Sequence, residues 1–398
     1  MHAPTAFVLG CLAIASVYQL YQAAAAWLFF RRARRAPAPA APLPPVTVLK
    51  PLKGPGVDLY ANLVSFCRQD YPGGFQIVFG VTDPTDPAVA IVQRVKREFP
   101  DVDIVLAVGD AAGTNRKVAN LRQMMRHARH RILVLSDSDI RVRPDYLRAM
   151  VAPLGDPAVG LTTCLYRGVG PFGLPSLLEA LFINTDFIPM VLAVTVAPLR
   201  WGYGASMALT REALDAIGGF AAIADYLADD NQLGGRIFKA GYRLVLVPYV
   251  VETVLDSVTL SDVWRHQLRW ARTYRVCQPA GWFFSVLTHA TLWALATLVA
   301  LRGTPLAWAL AGAAVAVRVG SLAVIMRALR EPETPRHLWL VPLKDLVSSA
   351  VWLAAFLGRE VHWSGRVLRV GRDGRMTPVA VPAELVADEP ETARASGS

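Results

Sequence analysis

Cysteine is scarce in this chain: there are four in 398 residues, at Cys11, Cys67, Cys164 and Cys277, with no C-x-x-C spacing among them. That excludes a disulfide framework and a thiolate metal centre, and it fits a reducing compartment. The sequence also lacks G-x-G-x-x-G and G-x-x-x-x-G-K-[ST] loops, which disfavours dinucleotide and P-loop chemistry. It has no basic patch interleaved with aromatics, although Lys and Arg exceed Asp and Glu by 41 to 31. No nucleic-acid partner is therefore expected. The arginines cluster beside apolar runs instead, as positive charge does at the cytoplasmic ends of membrane spans.

Hydrophobicity is what the chain has in excess. It is 54% apolar with a mean hydropathy of +0.35, and the apolar residues come in blocks. Pro4 to Phe30 could cross a bilayer, and Arg31, Arg32, Arg34 and Arg35 follow at once. A cleaved signal peptide carries its charge ahead of a shorter core, so 1–30 reads as an anchor with the next domain in the cytoplasm. Residues 31–45 form a basic, Ala/Pro-rich linker.

Further on, Trp282 to Leu301 and Pro305 to Ile325 are of membrane length. Leu338 to Leu357 is interrupted by Pro342, Lys344 and Asp345. The arginines beyond it favour the cytoplasm, which makes this stretch re-entrant or interfacial. Arg318, inside an apolar run, has Asp345 as its candidate partner. Membrane segments thus occupy 276–358. A basic hairpin tail covers 359–380, with turn signals at Gly365 and Asp373-Gly374. A polar tail at 381–398 reads as disordered.

Between these blocks, 46–275 alternates strands (46–50, 75–81, 103–108) with helices (58–68, 88–98, 117–128). Alternation predicts an α/β domain, a mostly parallel sheet flanked by helices. One more strand organises the rest: Ile132 to Ser136, an uninterrupted apolar run, ends in Asp137 and Asp139. At i, i+2 in an extended chain, both carboxylates point the same way, at the edge where open α/β sheets hold ligands. Mg²⁺ bridging to a diphosphate would neutralise them; a polar turn capping the next helix is the plainer account.

Three other constellations join it. Asp83 ends the 75–81 strand, either to meet a base edge or to begin a turn before Pro84. Asp225, Asp229 and Asp230 gather at a helix start, and exceed what the helix dipole needs; one could serve as a general base. His266, Arg269 and Trp270 share a helix face, suited to phosphate oxygens and a flat sugar or lipid, or equally to a membrane-surface helix. Phe182 to Val196 is apolar enough to be either a core helix or a membrane-facing element.

The series Asp83, Asp137-Ser138-Asp139, Asp230 and Arg269-Trp270 resembles the D, D-x-D, D, (Q/R)-x-x-R-W pattern of inverting glycosyltransferases with the GT-A fold. Leu49 to Gly54, Gln69-Asp70-Tyr71-Pro72, Asn115 to Leu121, and Ser136 to Val142 with Pro144-Asp145 are similar to ceramide glucosyltransferases and the related bacterial hopanoid-biosynthesis enzymes. The resemblance implies a mixed, mostly parallel GT-A sheet between an N-terminal anchor and C-terminal membrane helices, in a bacterial inner membrane with the catalytic domain cytoplasmic.

It further implies transfer of glucose or N-acetylglucosamine from a UDP-sugar to a lipid hydroxyl, of ceramide or a hopanoid alcohol. Asp83 would contact uracil, and Asp137 and Asp139 would hold Mg or Mn and the diphosphate. Asp230 would be the base, Asn115, Lys117 and Asn120 would lie beside the donor, and Arg269 and Trp270 would meet diphosphate and acceptor. His266 departs from the pattern, standing where Gln or Arg is usual. A polysaccharide synthase shares these motifs but needs more spans; a non-catalytic sugar-nucleotide binder on the same fold is the alternative of another class.

Overall fold

A computed structural model describes residues 3–35, 43–109, 112–170, 173–256, 259–363 and 366–379. The linker residues 36–42, Gly365 and the tail 380–398 lie outside the described residues. Helix α1 (Ala3–Arg35) has 33 residues and is about 50 Å long at 1.5 Å per residue. It continues through the arginines expected to begin the linker.

The chain then builds β1 (Val46–Pro51), α2 (Leu59–Cys67), β2 (Phe75–Val81), α3 (Ala88–Glu98), β3 (Asp103–Val108), α4 (Arg116–Met124) and β4 (Ile132–Ser136). α4 stops before the expected Ala128, because Arg126 and His127 turn back onto the carbonyls of Gln123 and Met124. β1 pairs in parallel with both β2 and β4, and β2 with β3. All five residues of β4 are buried, as its unbroken apolar run requires.

A second half follows: β5 (Ile140–Arg141), α5 (Tyr146–Val151), β6 (Val159–Val169), α6 (Leu174–Phe182), α7 (Ile188–Ala193), β7 (Ser206–Thr210), α8 (Arg211–Asp215), α9 (Asp229–Lys239), β8 (Arg243–Val254) and α10 (Leu260–Cys277). The strand order is β3-β2-β1-β4-β7-β6-β8-β5. β7 runs antiparallel to β4 and β6, while β6 and β8 are parallel. The sheet is thus mixed, with helices packed on it.

The two faces of the sheet differ. Val46, Val48, Ile77, Phe79, Ile132 and Val134 pack with α2, α3 and α5. Leu49, Val78, Leu133 and Leu135 belong to a core that also takes in Ala23, Ala26 and Phe30 of α1. That core reaches on into the helices that follow α10, so catalytic and apolar parts share one interior.

Those helices are α11 (Pro279–Phe284), α12 (Ala290–Ala300), α13 (Pro305–Leu329) and α14 (Val341–Ala354). Among the described residues, three helices are long and apolar enough to cross a membrane: Ala3–Arg35, Leu174–Val196 and Pro305–Leu329. The expected Trp282–Leu301 segment is a bent pair, long and apolar enough when taken together, with a 53° break between Pro279–Thr288 and Ala290–Ala300, where His289 leaves the helical region. α14 has 14 residues, fewer than the roughly 20 that a span requires.

The apolar stretch around 182–193 is a core element: Phe182, Phe187, Ile188, Val191 and Leu192 are buried, against α1 through a bond from the Tyr21 hydroxyl to the Ala193 carbonyl (2.7 Å). The Arg318–Asp345 pair is formed, at 3.1 Å. Last come β9 (Glu360–Trp363), β10 (Arg366–Val370) and β11 (Met376–Pro378), a three-stranded antiparallel sheet in the order β11-β10-β9.

Candidate active site

The acidic turn lies where β4 ends and the chain crosses to β5. Ile140 N–H donates to the Asp137 carbonyl at 3.3 Å. The buried Lys50 holds the turn from below, its Nζ donating to the carbonyls of Asp137 (2.5 Å) and Ile140 (3.3 Å). Lys117, in the first turn of α4, stands between the acids. Its Nζ is 2.6 Å from Asp137 Oδ1 and 3.4 Å from Asp229 Oδ2. Burial lowers the Lys117 pKa, but those two carboxylates outweigh it and hold the ammonium well above its ordinary range.

Asp230 lies in the first turn of α9, facing the glycine-rich strand lead-in at 202–204. Its Oδ2 accepts from Gly204 N–H (2.8 Å) and its Oδ1 from Asn231 N–H (2.7 Å). A Cβ at Gly204 would lie 3.0 Å from Asp230 Oδ2, and one at Gly234 would lie 2.2 Å from the Gly202 nitrogen. Helix and loop meet in backbone contact, which only glycine permits. Burial and the neighbouring Asp229 push the Asp230 carboxyl up to about 6, a better proton acceptor than an ordinary aspartate.

α10 forms another wall. A capping box of Thr259 and Asp262 starts it, fixing where its residues face. The rings of His266 and Trp270 are 4.8 Å apart, and His266 Nδ1 bonds the buried Glu179. Arg269 has its pKa lowered by burial, against the pull of Glu179, Tyr166, Tyr274 and Asp137. Trp270 packs edge-on to Tyr166 at 6.4 Å, Tyr166 stacks on Phe187 at 4.3 Å, and Phe187 meets Tyr203 at 5.6 Å. The carboxylates of Asp230, Asp137 and Asp139 all act on the Tyr166 hydroxyl, which burial already pushes far up.

The structure thus brings Lys117, Asp137, Asp139, Asp230, Arg269 and Trp270 into one neighbourhood, linked by ion pairs, ring contacts and the charges that act on Arg269 and Tyr166. Asp83 lies on the same edge. Register aligns Leu135 with Leu49, and Leu49 with Val78, so Asp137 is level with Gly80, two strands or about 10 Å away. Asp83 is exposed, and hydrogen bonds from the Thr85 hydroxyl (2.7 Å) and N–H (2.8 Å) lower its pKa.

Asn115 and Asn120 turn their polar atoms inward. Asn115 caps α4 through Val118 N–H (3.1 Å) and donates to the Tyr226 carbonyl (2.8 Å). Asn120 donates to Gly80 O (2.7 Å) and accepts from Gln123 (2.9 Å). Both position Lys117. Asp225 likewise accepts from Thr114 N–H (2.9 Å). Sequence reasoning gave Lys50 no role, although it lies within the Leu49–Gly54 motif, and missed Tyr166, Glu179 and Tyr203.

The donor set suits a divalent cation. Among the described residues no group of three or more His, Cys, Asp or Glu could hold a metal, which leaves a two-carboxylate site at Asp137 and Asp139. Mg²⁺ is commonly held that way, with substrate phosphates completing its shell. Burial and Asp137 push Asp139 up to about 7 despite Lys50, so the turn is short of positive charge.

The family model described as Glycosyl transferase family 21 matches residues 7–376. Ceramide glucosyltransferase 1 of Caenorhabditis elegans is 25% identical over 272 residues, 68% of this chain and 58% of that protein. Ceramide glucosyltransferase 3 of the same organism is 27% identical over 232 residues, 58% of this chain and 50% of that protein. The chain therefore spans about half the length of these two relatives. An N-acetylglucosaminyltransferase of Rhizobium meliloti is 27% identical over 393 residues, covering 86% of this chain and 89% of its own length. A mannosyltransferase of Pyrobaculum calidifontis, solved with GDP-Man and Mn2+, superposes with a TM-score of 0.47 at 24% identity, over 86% of this chain and 99% of that one.

Proposed function

The chain belongs to glycosyl transferase family 21, and on that premise we propose that it is a membrane-bound, inverting enzyme that moves a sugar from a UDP-linked donor to the hydroxyl of a membrane lipid. The carrying observation is that Asp137, Lys117, Asp229 and Asp230 lie on one linked path of contacts at the carboxyl edge of the sheet. The proposed sugar is glucose or N-acetylglucosamine and the proposed acceptor ceramide or a hopanoid alcohol; ceramide glucosyltransferases and an N-acetylglucosaminyltransferase among the relatives support the sugars and the ceramide. The catalytic domain faces the cytoplasm, since four arginines end α1 on that side.

Asp83 receives the base of the nucleotide. Asp137 and Asp139 would hold Mg or Mn, which when bound neutralises the departing diphosphate. Lys117 fixes Asp137 in place, and Arg269 offers its guanidinium to phosphate oxygens. Trp270, packed edge-on to Tyr166, gives the acceptor an aromatic floor. His266 acts through Glu179, orienting the face that carries Arg269.

Asp230 accepts the acceptor's proton as the new bond from its oxygen to the anomeric carbon forms. The bond from that carbon to the diphosphate breaks on the opposite face, and UDP leaves. A carboxylate is far too weak to ionise an alcohol beforehand, so proton transfer accompanies attack.

UDP release by the purified protein in lipid nanodiscs tests this, with each donor against each acceptor. Release that needs both donor and lipid, with a single sugar added, is expected. Absence of release with every pair would mean a binding protein, and a long polymeric product would mean a synthase.

A further inference from the structure

The basic tail takes no part in the chemistry above, yet it grips the loop that carries the base. We propose that the C-terminal hairpin is a strap that positions Asp230, with Tyr226 and Arg375 as its contact pair; this rests on Asp230 being the base.

Residues 224–228 lead directly into α9, and their backbone is held from two sides. Leu227 N–H donates to the Gly374 carbonyl (3.1 Å), and Met376 N–H donates to the Asp225 carbonyl (2.7 Å). Those two bonds bracket Tyr226 and Arg375, which face each other as a non-hydrogen-bonded antiparallel pair. Arg375 Nε donates to the Tyr226 hydroxyl at 3.2 Å, and its guanidinium lies 5.4 Å from the Tyr226 ring centre. Leu227 is the plug, buried with Val361, Leu368, Val370 and Met376.

On the other side, Asn115 N–H donates to the Ala224 carbonyl (2.9 Å) and Asn115 Nδ2 to that of Tyr226 (2.8 Å). The hairpin's root is tied to α10 as well. Arg272 donates to the carbonyls of Leu357 (2.7 Å) and Glu360, and Arg275 to that of Gly358 (3.0 Å). The hairpin therefore joins the loop before Asp230 to the helix bearing Arg269, and that loop is tied in turn to the start of the helix bearing Lys117. Between them lies a cavity of about 210 Å³ lined by Asn231, Gln232, Thr273, Cys277 and Asp373, so packing alone does not fix the loop from that direction. Misplacing a reacting group by 1 Å can cost about a hundredfold in rate, and the strap holds the base within that tolerance.

The test uses the full chain in nanodiscs. In a non-hydrogen-bonded pair the Cα atoms are about 4.5 Å apart, within disulfide range, so Tyr226→Cys with Arg375→Cys can be bridged and the bridge mapped by mass spectrometry. Reduced, the double variant should lose about tenfold or more in kcat, with donor KM and UDP affinity unchanged. Oxidised, it should regain most of that loss. A second variant, Arg375→Ala, should keep the melting temperature while lowering kcat by a smaller factor. The strap is overturned if the reduced form keeps wild-type kcat, if UDP affinity falls in step with kcat, or if the oxidised form stays as slow as the reduced one. Wild-type kcat in Asp230→Asn would instead remove the base assignment, whatever the bridge does.

Discussion

At the edge of the sheet, Asp137, Asp139, Asp229 and Asp230 gather around Lys117, with Lys50 beneath. In the helical part, Asp186 and Asp345 meet Arg318 and Lys344, two acids against two bases. The second group is saturated as well as balanced. Arg318 bonds both acids, the Gln19 side chain (3.0 Å) and the Thr185 carbonyl (3.1 Å). Thr291 adds a bond to Asp345 (3.0 Å) and Ser348 one to Asp186 (2.9 Å). It ties together α1, α12, α13, α14 and the turn between α6 and α7. Similar side chains thus do opposite jobs: balance and saturation make a lock, whereas surplus carboxylate leaves negative charge that the proposed cation would neutralise.

Substitutions can break that contrast. Asp230→Asn removes the proton acceptor and should slow transfer by about 10²- to 10⁴-fold, with UDP affinity by calorimetry unchanged. Asp345→Leu leaves buried cations uncompensated and should destabilise the protein by about 3–5 kcal/mol, read as a lower melting temperature, while the folded fraction still binds UDP. Loss of UDP binding without loss of stability would mean that the two clusters are not separate in function. Lys117→Met removes charged hydrogen bonds worth about 1.5–3 kcal/mol, and should weaken donor binding accordingly.

The smallest effect is one of pH. Asp230 must be ionised to accept a proton, and its pKa is raised to about 6. The rate should therefore fall as pH drops through about 6 and level off above it. A rate flat down to pH 5 would take the base role from Asp230.

The parallel half of the sheet was legible because each strand is a short apolar run read locally: 75–81 and 103–108 match to the residue. β6, β7 and β8 were not foreseen. Their burial depends on antiparallel and long-range pairing that local pattern does not carry. The acids were legible as strand ends and helix starts. The partners that hold Asn115 and Asn120, the Tyr226 and Gly80 carbonyls, were not legible because they lie 111 and 40 residues away. The Arg318–Asp345 pair was legible because a lone charge in an apolar run demands an opposite one. Asp186, which completes the lock, sat unnoticed in an apolar stretch.

UDP titration with and without Mg²⁺ or Mn²⁺ on wild type, Asp139→Asn and Asp345→Asn puts the contrast to its sharpest test. The cation should strengthen UDP binding in wild type and in Asp345→Asn, which should also melt earlier. It should do nothing for Asp139→Asn, whose melting temperature should stay that of wild type. Cation-enhanced binding that survives in Asp139→Asn would contradict the account.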